Sequence, residues 1–184
     1  DDNSDKALGL AQEAINAFPE KFEAAYNGGA QKKLGLKTSG PGDAALMEDL
    51  LCAMADQQAD FTLVFRGLSE LDNHPGAPDD AVRSLFANGD AFGEWAKRWR
   101  ARLSQEASVA SERQAQMRAV NPAFIPRNHR VEEVIRAAED HGDFAPFEKL
   151  LAILSQPYRD QPEAHEYQRP PRPEEIVHAT FCGT

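Results

Sequence analysis

The sequence predicts an all-α chain of about seven or eight helices that ends in an extended, proline-rich tail. Three observations predict it. Apolar residues recur with the 3.6-residue period of a helix along most of the chain. No segment alternates apolar and polar residues convincingly enough to read as a strand. Aspartates stand where the periodic segments start, and glycine or proline where they stop.

Taken in order, Ala7 to Ala17 carries Leu8, Leu10, Ala11, Ala14 and Ile15 on one stripe, and Pro19 opens a second helix as a tolerated first-turn proline. Phe22, Ala25 and Tyr26 form the buried face of that second helix. Gly28-Gly29 is a weak point, Leu34-Gly35-Leu36 a helix exit, and Thr38-Ser39-Gly40-Pro41-Gly42 a loop. Asp43 caps a helix holding Leu46, Leu50, Leu51 and Met54, and Asp60 caps one holding Phe61, Leu63, Val64, Phe65 and Leu68. After a turn-rich stretch, Asp90 caps a helix with Phe92, Trp95, Trp99 and Leu103, which continues, with or without a break, to Met117 and Val120. Asn121-Pro122 breaks the pattern. Arg130 to His141 is helical, Gly142 stops it, and Asp143 caps a last helix with Phe147, Leu150, Leu151, Ile153 and Leu154. From Pro157 on, prolines and charges crowd the chain, which is either packed on a neighbour or disordered. The division is thus a helical subdomain over residues 1–157 and a tail over 158–184 that ends in Cys182.

Composition narrows the function. A formal net charge of -10 and a pI of about 5.0 exclude a basic nucleic-acid-binding face and an anionic membrane surface as partners. No apolar run approaches the roughly 20 residues that cross a bilayer. The start, Asp1-Asp2-Asn3-Ser4-Asp5, is polar, holds no signal peptide and lacks Met, so the chain reads as a processed or partial one. Two cysteines, Cys52 and Cys182, are too few for a disulfide framework and point to a cytoplasmic compartment.

Chemistry-bearing motifs are sparse. His74, His129, His141, His165 and His178 are scattered, without metal-ligand spacing, and read as surface or structural histidines. His129-Arg130-Val131 and Asp143-Phe144-Ala145 imitate kinase motifs, but the first lacks the Asp and Asn that a catalytic loop needs and the second is explained by a helix cap. Gly28-Gly29 and Gly40-Pro41-Gly42 are turns, not phosphate loops. Lys97 to Arg102 is basic and aromatic, and reads either as a single-strand-binding surface or as tryptophans inside with arginines snorkelling outside; an acidic chain favours the second. Cys52, between Leu51 and Ala53, is expected to be a small buried hydrophobe. Cys182, two residues from the end, is open to oxidation or to a partner thiol, or has no such role.

Several blocks in series carry a resemblance. They are Tyr26 to Leu36, Ala59-Asp60-Phe61-Thr62-Leu63-Val64-Phe65-Arg66-Gly67-Leu68, Phe92 to Leu103, and Gln116 to Arg127-Asn128 with its Asn121-Pro122-Ala123-Phe124-Ile125-Pro126 core. Gly142-Asp143, Gln156-Pro157-Tyr158 and Arg169-Pro170-Pro171 complete the series. Together they resemble the C-terminal region of the selenoprotein O family, from about Phe18 to Thr184. The resemblance implies a pseudokinase-like adenylyltransferase that moves AMP from ATP to Ser, Thr or Tyr hydroxyls of proteins. It implies ATP and Mg (or Mn) as cofactors, held by an N-terminal kinase-like half absent from this chain. No residue here matches those ligands, so no catalytic, cofactor-binding or metal residue is assigned, and the piece alone is expected to be inactive. Cys182 matches the cysteine or selenocysteine with which the family ends. In bacterial-type members it can pair with a cysteine of the activation segment, which implies redox regulation. The expected partners are the kinase-like half and the protein substrates of the whole enzyme. The alternatives are a stand-alone helical protein–protein interaction module and a helical enzyme with a site that no motif marks.

Overall fold

The computed structural model describes residues 2–179, with side chains from Ser4 onward. The described chain is all-helical: α1 Asp2–Lys33, α2 Asp43–Asp56, α3 Phe61–Leu68, α4 Asp80–Arg83, α5 Gly89–Leu103, α6 Ala110–Arg118, α7 Asn128–His141 and α8 Ala145–Leu154. Two 3-10 turns, Pro162–Gln168 and Pro173–Glu175, follow in the tail.

The main core is built around α5. Trp95 and Trp99 lie four residues apart on its inner face, with ring centroids 5.8 Å apart, and both are buried. A buried indole needs an acceptor for its N–H. Trp95 Nε1 donates to the Leu46 carbonyl at 2.8 Å, and Trp99 Nε1 to the Leu34 carbonyl at 2.9 Å. These two bonds fix α5 against α2 and against the exit of α1. Leu50, Val64, Phe65, Leu68, Phe92, Leu103 and Met117 close the cluster. Arg113 is buried here too: its guanidinium lies 5.5 Å from the Trp99 ring and donates to the Leu71 carbonyl at 2.7 Å.

Gly35 makes the exit of α1 possible. Its φ is 73°, a left-handed conformation that favours glycine, and a Cβ there would meet Met117 Sδ at 2.6 Å. The Leu36 N–H returns to the Gln31 carbonyl at 3.0 Å, which closes the helix end. Gly142, at φ 64°, ends α7 in the same way.

Several local expectations are corrected. α1 runs unbroken through Pro19 and through Gly28-Gly29. Proline deletes one helical hydrogen bond, and helix formers on both sides carry the helix across the gap. Phe22, Ala25 and Tyr26 are exposed rather than buried, because no described element covers that face. Asp43 is the first residue of α2 and not its cap. That place falls to Gly42, whose φ of 90° disfavours a side chain. The cap of α5 is Asn88, which accepts from the Asp90 N–H at 3.0 Å. Asp60 does cap α3, accepting from the Leu63 N–H at 2.9 Å. Asp143 accepts from the Ala145 N–H at 3.0 Å, although Phe144 occupies the cap position itself. Cys52 is exposed, since the buried side of α2 is Leu46, Met47, Leu50 and Met54.

Candidate functional site

Two features stand out on this scaffold: a joint built from arginines, and a bare apolar face on α1.

The joint connects the main core to a smaller one formed by Ala123, Phe124, Ile153 and Ala164. Arg66 sits in the apolar run of α3, where it is buried. Its Nη1 donates to three main-chain carbonyls, those of Arg118 (3.3 Å), Asn121 (3.1 Å) and Tyr158 (3.2 Å), and its Nη2 to Asp160 at 2.5 Å. Asn121, fully buried, donates to the Lys33 carbonyl at 3.1 Å and accepts from Lys33 Nζ at 3.2 Å. The Lys33 ammonium also stands 5.5 Å from the Phe61 ring and 5.3 Å from the Phe65 ring. Burial pulls its pKa below the usual lysine value. Arg127 forks onto Asp60, at 2.8 and 3.1 Å, so the carboxylate that caps α3 also fastens the segment leading into α7. Burial would raise the Asp60 pKa. The Arg127 guanidinium and the Leu63 N–H outweigh it and hold the carboxyl below its ordinary range.

The tail is fastened step by step. The N–H groups of Ala123 and Phe124 both donate to the Pro157 carbonyl, at 2.8 and 3.1 Å. Arg130 and Lys149 flank the Tyr167 ring at 5.2 and 5.1 Å. Arg169 forks onto Glu175 at 2.6 and 2.8 Å. Together with the Arg172 N–H, it draws the Glu175 pKa down to about 2. Between Pro157 and Tyr167 the chain is therefore tied to the helices, and among the described residues it coils into two turns rather than running extended throughout.

α7 and the tail flank an open groove of about 1090 Å³, lined by Val131, Ile135, Ile176 and Val177 together with charged side chains such as Glu132, Glu139 and Glu174, and by His129. His129 is buried, and neither ring nitrogen has a hydrogen-bond partner among the described residues. Burial, then the neighbouring Arg130, push its pKa below the ordinary histidine value.

The second feature is α1 itself. Leu8, Leu10, Ile15, Phe18, Phe22 and Tyr26 are each more than half exposed. Phe18, Phe22 and Tyr26 stack on one another, with centroids 5.8 and 6.1 Å apart.

The residues singled out from sequence fare unevenly. Cys182 lies outside the described residues. His129 and Arg130 serve packing, with Arg130 donating to the Glu166 carbonyl at 3.1 Å. The basic run splits. Lys97 and Arg98 lie in solvent, whereas Arg100 is buried against Asp79 and Arg102 binds Asp43, Glu106 and the Thr38 carbonyl. Sequence reading missed Arg66, Asn121 and Arg127. The available signal was an arginine set inside an otherwise apolar helix, where an unpaired charge is too costly to bury. Among the described residues, no group of three or more His, Cys, Asp or Glu side chains is placed to hold a metal ion, and no helix is long and apolar enough to cross a membrane.

Comparison with known proteins supplies what geometry alone does not. The family model for protein adenylyltransferase SelO matches residues 7–155. The protein nucleotidyltransferase YdiU of Rhodopseudomonas palustris (strain BisB18) is 54% identical over 183 residues, 100% of this chain and 37% of its own length. Its namesake in Bradyrhizobium diazoefficiens is 52% identical over 183 residues, with the same coverage. That of Methylorubrum extorquens (strain PA1) is 52% identical over 184 residues, 97% of this chain and 37% of its own length. The chain thus spans a little over a third of the length of these relatives.

Proposed function

The chain belongs to the SelO family of nucleotidyltransferases, and from that premise we propose that it is the C-terminal helical region of a protein adenylyltransferase. The observation that supports this reading is the match along essentially the whole chain to proteins nearly three times as long. In the proposed reaction a Ser, Thr or Tyr hydroxyl of a target protein attacks the α-phosphorus of ATP. The bond from that phosphorus to the oxygen bridging to the β-phosphate breaks, AMP stays on the hydroxyl oxygen, the hydroxyl proton is released, and pyrophosphate leaves. Phosphoryl chemistry of this kind relies on positioning and on charge neutralisation. We assign ATP and the Mg (or Mn) ions to a pseudokinase-like half that precedes these residues in a bacterial cytoplasmic enzyme. The role of residues 1–157 is to buttress that half.

The arginine-fastened tail suits a return path. Its stretch from Pro157 to Tyr167 is tied to α3, α7 and α8, so less freedom is left to lose on docking. Cys182 is proposed as a redox-active thiol that pairs with a cysteine of the kinase-like half under oxidising conditions and tethers the tail there.

The decisive experiment uses the full-length protein and ATP labelled at either the α- or the γ-phosphate. Transfer of the α label to protein by the full-length enzyme, and none by residues 1–184 alone, is the expected result. Transfer of the γ label, or activity of these residues alone, would sink the reading. For the thiol, peptide mapping after oxidation should find Cys182 joined to a cysteine outside these residues. A free Cys182, or a bond to Cys52 only, counts against it.

A further inference from the structure

The last stretch of the tail is held differently from the rest. Up to Tyr167 the tail is bound to the helices, as where Arg130 donates to the Glu166 carbonyl. From Arg169 to Ala179, every hydrogen bond among the described residues stays inside the segment. Arg169 donates to the Pro170 carbonyl and the Glu175 carboxylate, the Arg172 N–H to that same carboxylate, and the Glu175 N–H to the Arg172 carbonyl. What holds this segment against α7 is the groove, which Ile176 and Val177 line together with Val131 and Ile135. Ile176 and Ile135 stay 47% and 43% exposed, so that apolar grip is modest. His129, in the first turn of α7, lines the same groove. It is 8% exposed, and neither ring nitrogen has a partner among the described residues.

We propose that His129 is a proton-operated latch for this segment: with the ring neutral, residues 169–179 lie on α7, and when the ring takes up a proton from solvent they lift away. A neutral imidazole has one N–H to satisfy, whereas an imidazolium has two and a charge. Burying that charge unpaired is far costlier than burying the neutral ring. Lifting the segment gives both nitrogens to water, so proton uptake and release of the segment favour each other.

The neighbouring charges do not relieve an imidazolium. Arg127 and Arg130 act on the ring from its own side, and Arg169 and Glu175 from the tail. Three of the four are cations, and the one anion, Glu175, is already held by the Arg169 fork. Of the other carboxylates in the groove, Glu132 binds Arg136, Glu133 binds Arg130, and Glu174 stands in solvent. Glu139 lies about 15 Å further along α7. Burial and these cations lower the His129 pKa, so the docked segment is favoured above the ordinary histidine value and is lost as pH falls below it. The Arg169 fork survives that fall, because Glu175 titrates at about 2. The other histidines of the groove are His141, at the far end of α7, and His178, which is exposed.

Limited digestion of the full-length protein with a glutamate-specific protease tests this. Cleavage after Glu174 and Glu175 is followed by mass spectrometry at about pH 7.5 and about pH 5.5, on either side of the ordinary histidine value. Wild type and His129→Phe are digested side by side, so the pH dependence of the protease cancels. The two should be cleaved alike at the higher pH, and wild type about tenfold faster at the lower, the linkage of one proton over one pH unit. Cleavage after Glu163, in the turn bound to the helices, should be the same in both proteins throughout, and the His141→Gln/His178→Gln variant should match wild type. A wild-type to His129→Phe ratio that is equal at both pH values overturns the latch. So does a response that vanishes in His141→Gln/His178→Gln, or one in which cleavage after Glu163 rises in step, since the smaller core would then be melting as a whole. If His129→Phe leaves the segment open at both pH values, His129→Gln replaces it. If that variant is open too, the wild-type ratio of cleavage after Glu174 to cleavage after Glu163 decides: it must rise as pH falls, and a flat ratio overturns the proposal.

Discussion

α5 and the first two-thirds of α1 carry the same kind of stripe and meet opposite fates. Both place aromatic rings four residues apart, with Trp95 over Trp99 at 5.8 Å in one and Phe18 over Phe22 at 5.8 Å in the other. α5 is enclosed by α2, α4 and the exit of α1, and each of its indoles donates to a main-chain carbonyl. The aromatic rings of α1 face solvent. Periodicity thus tells which side of a helix is apolar. What lies across from that side is a long-range property that the stripe does not encode.

The sharpest way to break the comparison is to truncate matching residues. Trp99→Ala should cost about 3–5 kcal/mol in a denaturant titration, because it opens a large cavity and orphans the Leu34 carbonyl. A loss under 1 kcal/mol would mean that α5 does not organise the core. Next in size, Arg66→Met should cost about 2–3 kcal/mol, since three carbonyls and Asp160 lose their donor together. Limited proteolysis of that variant should show cleavage beginning after Pro157. Asp60→Ala should cost about 2 kcal/mol by combining a lost cap with a lost fork to Arg127. Asp60→Asn, which keeps the cap, should recover about half of that loss in the same thermal melt.

A pH series probes the start of α7. The His129 pKa is lowered on folding, so the unfolded chain binds the extra proton first. The stability conferred by the neutral ring is present above the ordinary histidine value and is lost as pH falls through it. Denaturation midpoints of the wild-type chain should therefore drop between pH 7 and 5, and His129→Phe should flatten that drop. The smallest effect belongs to α1. In residues 1–184 alone, Phe22→Ser should shift stability by less than about 0.5 kcal/mol, as expected of a side chain already in water.

Local signals were legible. The all-helical class, the Asp60 cap and the glycine stops at Gly35 and Gly142 each depend on residues within one turn of the helix end they mark. The family resemblance was legible because its blocks extend along most of the chain. The Asp43 and Asp90 caps were misread, since a left-handed Gly42 and an asparagine two residues upstream took those places. The partners of arginine lay furthest from view. Arg102 binds a carboxylate 59 residues away and Arg66 one 94 residues away, distances over which periodicity carries no information. Charge alone made Arg102 look solvated, whereas its side chain is 12% exposed and held by two carboxylates.

The grip of Arg66 has a consequence for mutational drift. Three of its four acceptors are peptide oxygens, which every amino acid supplies, so the more open positions 118 and 158 can exchange residues without weakening this particular grip. Position 66 has no such latitude, because a lysine cannot fork to several oxygens at once. Any substitution there would have to be answered by rebuilding three distant stretches of the chain together, and a single-step evolutionary path rarely provides that.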